Sequence, residues 1–389
     1  MSRIDDLITE LAPKGVEFRP LSDLLDYAQP TKYLVASTDY SDLFPTPVLT
    51  AGQTFILGYT AEPHGIYPAS PERPVVIFDD FTTAFKWVDF SFKAKSSAMK
   101  MLTPSPGAAV DFRFVYYAML CIGFTPQEHA RHWIGKYSNF RIPVPPLDVQ
   151  REIVRILDNF TELEAELEAE LEARRSQYEH YRRELFTSTT SSEARWTTLG
   201  DVSTKVSSGG TPSSGREAYY GGEIPWLRTQ EVDFDVIRST GMTITEEGLR
   251  NSSAKWIPAH CVIVAMYGAT AAKVAINEIP LTTNQACCNL QIDPSQAEYR
   301  YVFHWVANEY ARLRGLGEGS QSNLNAQKVK KYPIPVPSLE EQRRIVAILD
   351  RFDALVNDLS IGLPAELAAR RQQYEYYRDH LLTFEEATA

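Results

Sequence analysis

One stretch occurs twice in this chain, and that repetition limits the folds open to it more than any other feature. Residues 142–186 begin IPVPPLDVQREIVRILDNF and end ARRSQYEHYRRELF, while residues 334–382 begin IPVPSLEEQRRIVAILDRF and end ARRQQYEYYRDHLL. Aligned from Ile142 and Ile334, 13 of the first 19 positions are identical; aligned from Ala173 and Ala369, 9 of 14 are. The offset grows from 192 to 196, so the second copy holds four extra residues. At ~3.6 residues per turn that is about one turn of helix, an insertion that keeps a helix face in phase.

Each copy opens on a Pro-x-Pro lead-in, Pro143 and Pro145 or Pro335 and Pro337, which cannot lie inside a helix. A helix is predicted to start directly after it, capped by Asp148 in the first copy and by Ser338 in the second, where Glu340 and Glu341 add negative charge to the first turn. Val149, Ile153, Ile156, Phe160, Leu163 and Leu167 then follow a four-three spacing, the grammar of a coiled coil. Three ELEA tetrads occupy 162–173. Each of their leucines advances ~40° around the helix, so the stripe drifts, and Tyr178, Tyr181 and Leu185 carry the seam onward. As one helix, Asp148 to Phe186 is 39 residues, or ~58 Å at about 1.5 Å per residue. Such a helix has no core of its own, and the other copy is the obvious partner. Gly362 and Pro364 predict a break near 360–364, with Pro364 restarting the helix.

At 389 residues the chain suits two to three domains with real cores. Its four cysteines, Cys121, Cys261, Cys287 and Cys288, show neither metal nor disulfide spacing, which predicts a reducing cytoplasm. The longest apolar run, around 261–276, is interrupted by Tyr267, Gly268 and Lys273, so no membrane span is expected. A net charge of −11 argues at first against a nucleic-acid partner. Nearly all of it lies in the helical copies, −5 in 146–189 and −4 in 338–389. The segments between are close to neutral and leave room for a basic face.

Outside the copies the pattern changes. Ile4 to Leu11 reads as a short helix ended by Pro13 and Gly15. From Val16 to Tyr137, short apolar or alternating runs at 54–59, 74–81 and 85–92 predict a mixed domain with substantial strand, and Phe112 to Ile122 a helix. A serine-rich linker at 189–195 leads into a second mixed domain with little identity to the first, although Phe18 to Leu24 matches Trp196 to Val202 in character. The predicted order is a domain at 1–141, a helical spacer at 142–189, a domain at 190–333 and a spacer at 334–389. The predicted fold class is α+β: two mixed domains separated by two long helices that partner each other as a coiled coil, one chain imitating a two-fold dimer.

The paired lead-ins, the ELEA tetrads, the paired ARR-x-Q-Y-E-x-Y-R ends, IPWLRTQ at 224–230 and TNQA at 283–286 resemble, over essentially the whole chain, the specificity subunit of type I restriction-modification systems. The resemblance implies two target-recognition domains, held apart by the two helices as an antiparallel coiled coil, that read a bipartite, asymmetric site in double-stranded DNA. It also implies docking of two methyltransferase subunits, joined by motor-nuclease subunits for restriction. No cofactor is implied for this chain; S-adenosylmethionine, ATP and Mg serve the partners. Two other readings stand beside it, a self-contained restriction-methylation enzyme and a coiled-coil adaptor whose globular domains bind proteins.

Base edges favour Arg, Lys, Asn and Gln, and phosphates are held by Lys, Arg, Ser, Thr and Tyr. On that chemistry the DNA-contact candidates in the second domain are Arg228, Thr229, Gln230, Tyr267, Thr270, Ser320, Gln321, Ser322 and Asn323, with the basic cluster Lys328, Lys330 and Lys331. That cluster reads equally as a solvated surface at the domain exit. In the first domain they are Tyr59, Lys93, Lys95, Lys100, Arg131 and Lys136. The turn 283–286 reads more as buried structure than as a reader. Tyr178, Tyr181, Tyr374, Tyr376 and Tyr377 fit helix packing or methyltransferase docking.

Catalytic signatures are missing. There is no N/D-P-P-F/Y/W motif for amino-methyl transfer, and no lysine follows an acidic residue two positions earlier, as a restriction nuclease core requires. Gly210 to Gly215 has phosphate-loop spacing, but Arg216 and Glu217 follow where Lys and Ser or Thr belong, so it reads as a flexible loop. His129 and His132 lack supporting ligands and read as a solvated or DNA-facing pair, with no metal site. The chain is predicted to be non-catalytic.

Overall fold

The computed structural model describes residues 3–52, 54–128, 130–191, 194–317, 323–357 and 361–387. The chain opens on α1 (Arg3–Leu11), whose Ile4, Leu7 and Ile8 face the first core. β1 (Glu17–Pro20), α2 (Leu21–Leu24) and β2 (Leu25–Ala28) follow, then β3 (Thr46–Leu49), β4 (Ile56–Thr60), β5 (Val75–Asp79), β6 (Phe85–Val88), β7 (Lys93–Ala94) and β8 (Met99–Pro104). Two sheets result, ordered β2-β8-β5-β6 and β4-β3-β7. α3 (Phe112–Leu120) starts at Asp111, whose carboxylate accepts the Arg113 and Phe114 amides. The lead-in forms β9 (Arg141–Val144), an edge strand in which prolines are tolerated. It runs into α4 (Leu147–Ser191), 45 residues long.

The second domain holds β10 (Arg195–Thr198), β11 (Ser203–Ser208), β12 (Tyr220–Leu227), β13 (Val236–Ile237) and β14 (Thr243–Ile244), then α5 (Glu246–Arg250). After these come β15 (Trp256–Ile257), β16 (Val262–Ala265), β17 (Val274–Asn277), β18 (Leu281–Thr283) and β19 (Cys287–Ile292). α6 (Tyr299–Asn308), α7 (Tyr310–Gly315), α8 (Ala326–Lys330) and the second lead-in, β20 (Pro333–Val336), complete it. Its sheets are ordered β11-β19-β16-β17-β13 and β14-β12-β18-β15. The likeness of Phe18 to Leu24 with Trp196 to Val202 has a structural cause: β1 pairs β9 with Phe18 opposite Pro143, and β10 pairs β20 with Trp196 opposite Pro335.

The second copy is two helices, α9 (Leu339–Val356) and α10 (Leu363–Leu381). Gly362 lies between them at φ +81°, where a Cβ would come within 2.7 Å of the Ala354 and Leu355 carbonyl oxygens. The four extra residues fall in the interval that holds this break, rather than adding a turn in phase. Ser338 caps α9 as predicted, accepting the Glu341 amide at 3.3 Å. Asp148 does not cap α4. That helix starts one residue earlier, so Asp148 sits in its first turn, 3.5 Å from Arg151.

The chain divides into two compact units, Met1–Glu166 with Leu367–Ala389, and Leu167–Glu366. Each combines one mixed domain, the front of one helical copy and the back of the other. In unit one Val149, Ile153 and Leu157 share a core with Phe114, Val115, Leu381 and Leu382. Phe160 packs on Tyr374 and Tyr377, with centroids 6.5 and 5.4 Å away, and Glu164 meets Arg371 at 2.6 Å, so α4 and α10 run antiparallel there. In unit two Ile345, Leu349 and Val356 share a core with Leu171, Tyr178 and Phe186, and Phe352 packs on Tyr178 and Tyr181 at 6.2 and 5.4 Å. Phe352 is Phe160 plus 192, and Tyr374 and Tyr377 are Tyr178 and Tyr181 plus 196. Among the described residues no helix is long and apolar enough to cross a membrane.

Candidate nucleic-acid interface

In unit two, four loops are knit together beyond the parallel strands β12 and β18. Leu227 is opposite Thr283, and the Asn284 amide donates to the Leu227 carbonyl at 3.0 Å, joining the turn 284–286 to Arg228–Gln230. The Met266 amide donates to Ala286, the Leu324 amide to Met266, both at 2.8 Å, and the Gly268 amide to Asn323 Oδ1 at 3.3 Å. The predicted groups at 228–230, 267–270 and 323 therefore belong to one connected surface. Gln230, Tyr267 and Asn323 are exposed on it, while Arg228 and Thr270 are half-buried. Thr229 is corrected: it is buried and offers no side chain to a ligand. Ser320, Gln321 and Ser322 lie outside the described residues.

Two residues of this surface escaped the sequence reading. Thr283 is buried, as its turn suggested, but Gln285 is exposed and its side-chain oxygen accepts from the Thr211 hydroxyl. Thr211 follows Gly210 at the start of the glycine-rich segment, whose first residues are closely packed while Gly215 has open space around it. A Cβ on Gly209 would lie 1.8 Å from the Thr283 carbonyl oxygen, and one on Gly210 would lie 2.5 Å from the Ala254 amide. These glycines permit close backbone packing that seats Thr211 beside Gln285.

The basic cluster sits at the domain exit. Lys328 Nζ donates to the Leu316 carbonyl at 2.8 Å, and the Lys330 carbonyl accepts the Gly200 amide at 2.8 Å. Lys330 and Lys331 are exposed. In unit one the 192-residue offset puts the exposed Lys136 where unit two has Lys328. The local frame corresponds: Leu21 donates its amide to Phe140 at 3.0 Å, as Leu199 does to Tyr332 at 2.9 Å.

Unit one divides its predicted residues into surface and framework. Lys95 is exposed, donates to the Tyr40 hydroxyl at 3.2 Å and lies 5.6 Å from that ring's centroid. Tyr59, on β4, holds the adjoining loop through its carbonyl, which accepts the Ser41 amide at 3.1 Å. Tyr40 and Lys95 thus form an aromatic and basic patch, the sort of surface that meets sugar, base and phosphate, with the half-buried Tyr59 on the strand beside it. Lys93 and Lys100 are corrected, because both are buried. Lys93 donates to the His64 carbonyl at 2.6 Å and pairs with Glu62 at 2.8 Å. The Lys93 hydrogen bond and the Ser37 amide together hold the Glu62 carboxyl below its usual range. Lys100 pairs with Asp80 at 3.1 Å, both side chains 1% exposed. Asp80 Oδ1 also accepts the His132 and Trp133 amides at 3.1 and 2.8 Å, fixing the loop that exposes Arg131 and Lys136. His132 is itself buried, which corrects its solvent-facing reading, and His129 lies outside the described residues.

Among the described residues no group of three or more His, Cys, Asp or Glu side chains is placed to hold a metal. Burial pushes the Cys261 and Cys288 thiols up to about 12, and both side chains pack in hydrophobic cores of the second domain, whereas Cys121 is exposed.

The family described as type I restriction modification DNA specificity domain matches residues 131–173 and 193–369. The chain is 44% identical over 400 residues to the type I restriction enzyme EcoR124I/EcoR124II specificity subunit of Escherichia coli, covering 99% of this chain and 98% of that one. Its fold resembles the crystal structure of a type I restriction-modification system S subunit from M. genitalium, with a TM-score of 0.60, 15% identity, and 95% and 96% of the two chains covered. A structure from work on complex assembly and conformational transition of the type I R-M system matches with a TM-score of 0.55 and 16% identity, over 95% and 98% of the chains. Duplicated helical frame, divergent domains and full-length similarity agree: the chain belongs to the specificity subunits of type I restriction-modification systems, the DNA-recognition and non-catalytic subunits of those systems.

Proposed function

We propose that the chain reads a bipartite, asymmetric DNA site, one half through the recognition domain at 1–141 and the other through that at 190–333. The carrying observation is that each unit joins a different loop surface to a repeat-encoded frame in which residue after residue corresponds at a fixed offset. Two unlike surfaces on like frames suit two unlike half-sites. In unit two the readers are Gln230, Gln285, Asn323 and Arg228, with Tyr267 beside them; in unit one Tyr40, Tyr59 and Lys95 face the DNA. Arg131, Lys136, Lys330 and Lys331 hold phosphates.

The helical segments 142–189 and 334–389 act as the ruler between half-sites and as the seat for two methyltransferase subunits, which supply S-adenosylmethionine chemistry. Motor-nuclease subunits with ATP and Mg add restriction. A rod made of helix measures distance in steps of about 1.5 Å per residue, against ~34–36 Å for about 10–10.5 base pairs. One extra ELEA tetrad after Ala173 adds up to ~6 Å. It should change the gap between half-sites and leave both halves intact, as read by selecting binding sites from random DNA. An unchanged gap rejects the ruler.

A further inference from the structure

Both units carry one fastening that the recognition loops do not need. In unit one Asp158, on α4, accepts the Arg113 Nε–H at 2.9 Å and the Tyr117 hydroxyl at 2.5 Å, both from α3. In unit two Asp350, on α9, accepts the Arg300 Nε–H at 2.7 Å and bonds His304 Nε2 at 2.8 Å, both from α6. Eight residues earlier on each frame helix stands a buried glutamine. Gln150 Oε1 accepts the Asp111 amide at 2.8 Å and its Nε2 donates to the Pro145 carbonyl at 2.6 Å. Gln342 Oε1 accepts the Glu298 amide at 2.9 Å and its Nε2 donates to the Pro337 carbonyl at 2.9 Å. The frame residues correspond at an offset of 192, and their domain partners, Asp111, Arg113 and Tyr117 with Glu298, Arg300 and His304, at an offset of 187. The domains around them share little other identity.

Apolar burial is non-directional and lets a helix slide or roll on its neighbour. Charge-assisted and buried hydrogen bonds have direction. Two of them eight residues apart, about 12 Å along the frame helix, fix both the position and the crossing angle of the domain helix. In unit two His304 Nδ1 also faces the Tyr178 hydroxyl at 3.4 Å, so the clamp reaches α4 as well as α9.

We propose that the Gln150–Asp158 and Gln342–Asp350 pairs are positioning residues: they set the angle at which each recognition domain is held on its helix, and with it the sharpness with which the protein measures the gap between half-sites. This rests on the two-half-site reading above. The test uses the complete complex with its methyltransferase partner on a DNA library in which the gap varies in length. The unaltered complex modifies one gap. Asp158→Ala and Asp350→Ala should extend modification to gaps one base pair shorter and longer, with discrimination falling about ten-fold and both half-site sequences unchanged. Where an alanine variant does not assemble, Arg113→Lys and Arg300→Lys carry the same reading, keeping the charge but losing the bond geometry, with a smaller broadening. A lower yield or melting temperature with undiminished gap discrimination overturns the clamp. An unaltered complex that shows no two-part site overturns the half-site reading instead, before any variant is compared.

Discussion

Unit one and unit two share a frame and differ in the faces they present. The frame residues match in kind, partner and offset: Gln150 with Gln342, Asp158 with Asp350, Phe160 with Phe352. The faces do not. Unit one offers a tyrosine and lysine patch beside a three-stranded sheet, whereas unit two offers amide side chains on loops beyond a parallel strand pair. On the two-half-site proposal, positioning is written into the repeat, and recognition into what the repeat leaves free. Among the domain residues that meet the frame one exchange matters, since the Tyr117 hydroxyl that Asp158 accepts in unit one is replaced at Asp350 by the His304 ring in unit two.

The largest expected effect breaks a piece of framework in unit one. Asp80→Ala strands Lys100 in the core and releases the Trp133 amide, while the His132 amide keeps its 2.8 Å bond to the main-chain carbonyl of residue 80. Removing one partner of a buried ion pair costs about 3–5 kcal/mol. Denaturation with hydrogen exchange should show the loss in β5, β8 and the loop at 130–137. Lys100→Met should cost less, because Asp80 keeps two backbone donors. Equal melting of Asp80→Ala and the unaltered chain would contradict the framework assignment of Lys100.

The next effect separates the clamps by pH. Burial pushes the His304 pKa below its ordinary value, against the upward pull of Asp350 and Asp353 on α9 and together with Arg300 on α6, while the Tyr178 hydroxyl faces it from α4. The folded state therefore resists a proton that the unfolded chain accepts below about pH 6.5. Stability from His304 is complete above that pH and falls as pH drops through it, by at most about 1.4 kcal/mol per unit. Amide protection in α6, corrected for intrinsic exchange, should fall between pH 7.5 and 5.5, and His304→Tyr should remove that dependence. A dependence that survives the substitution has another source. The smallest effect sorts lysines: Lys95→Ala should lower the slope of log affinity against log salt by about one, and Lys93→Met should leave it unchanged.

The sequence showed the frame well because a repeat is its own control. Matching lead-ins and heptad spacing located the helices, and Gly362 with Pro364 located the break. Side-chain direction was less legible. Lys93 and Lys100 sit in short alternating runs where lysine normally marks solvent, and only the distant Glu62 and Asp80 turn them inward. Thr229 and Gln285 lie in neighbouring turns of similar composition, and which one faces outward is decided by β12–β18 pairing 56 residues apart in sequence, an arrangement no local pattern encodes. The clamps were hidden for the same reason: Asp158 and Gln150 are ordinary helix residues until α3 is laid across them.

Each recognition domain is proposed to read its own half of the site, and one measurement reaches that point directly. Methylated bases would be mapped in DNA modified by the complete complex carrying either the unaltered chain or the double variant Gln230→Ala, Gln285→Ala. The predicted result is relaxed sequence preference in one half-site, with the other half and the gap unchanged. Relaxation of both halves together, or a shift in the gap, would contradict it.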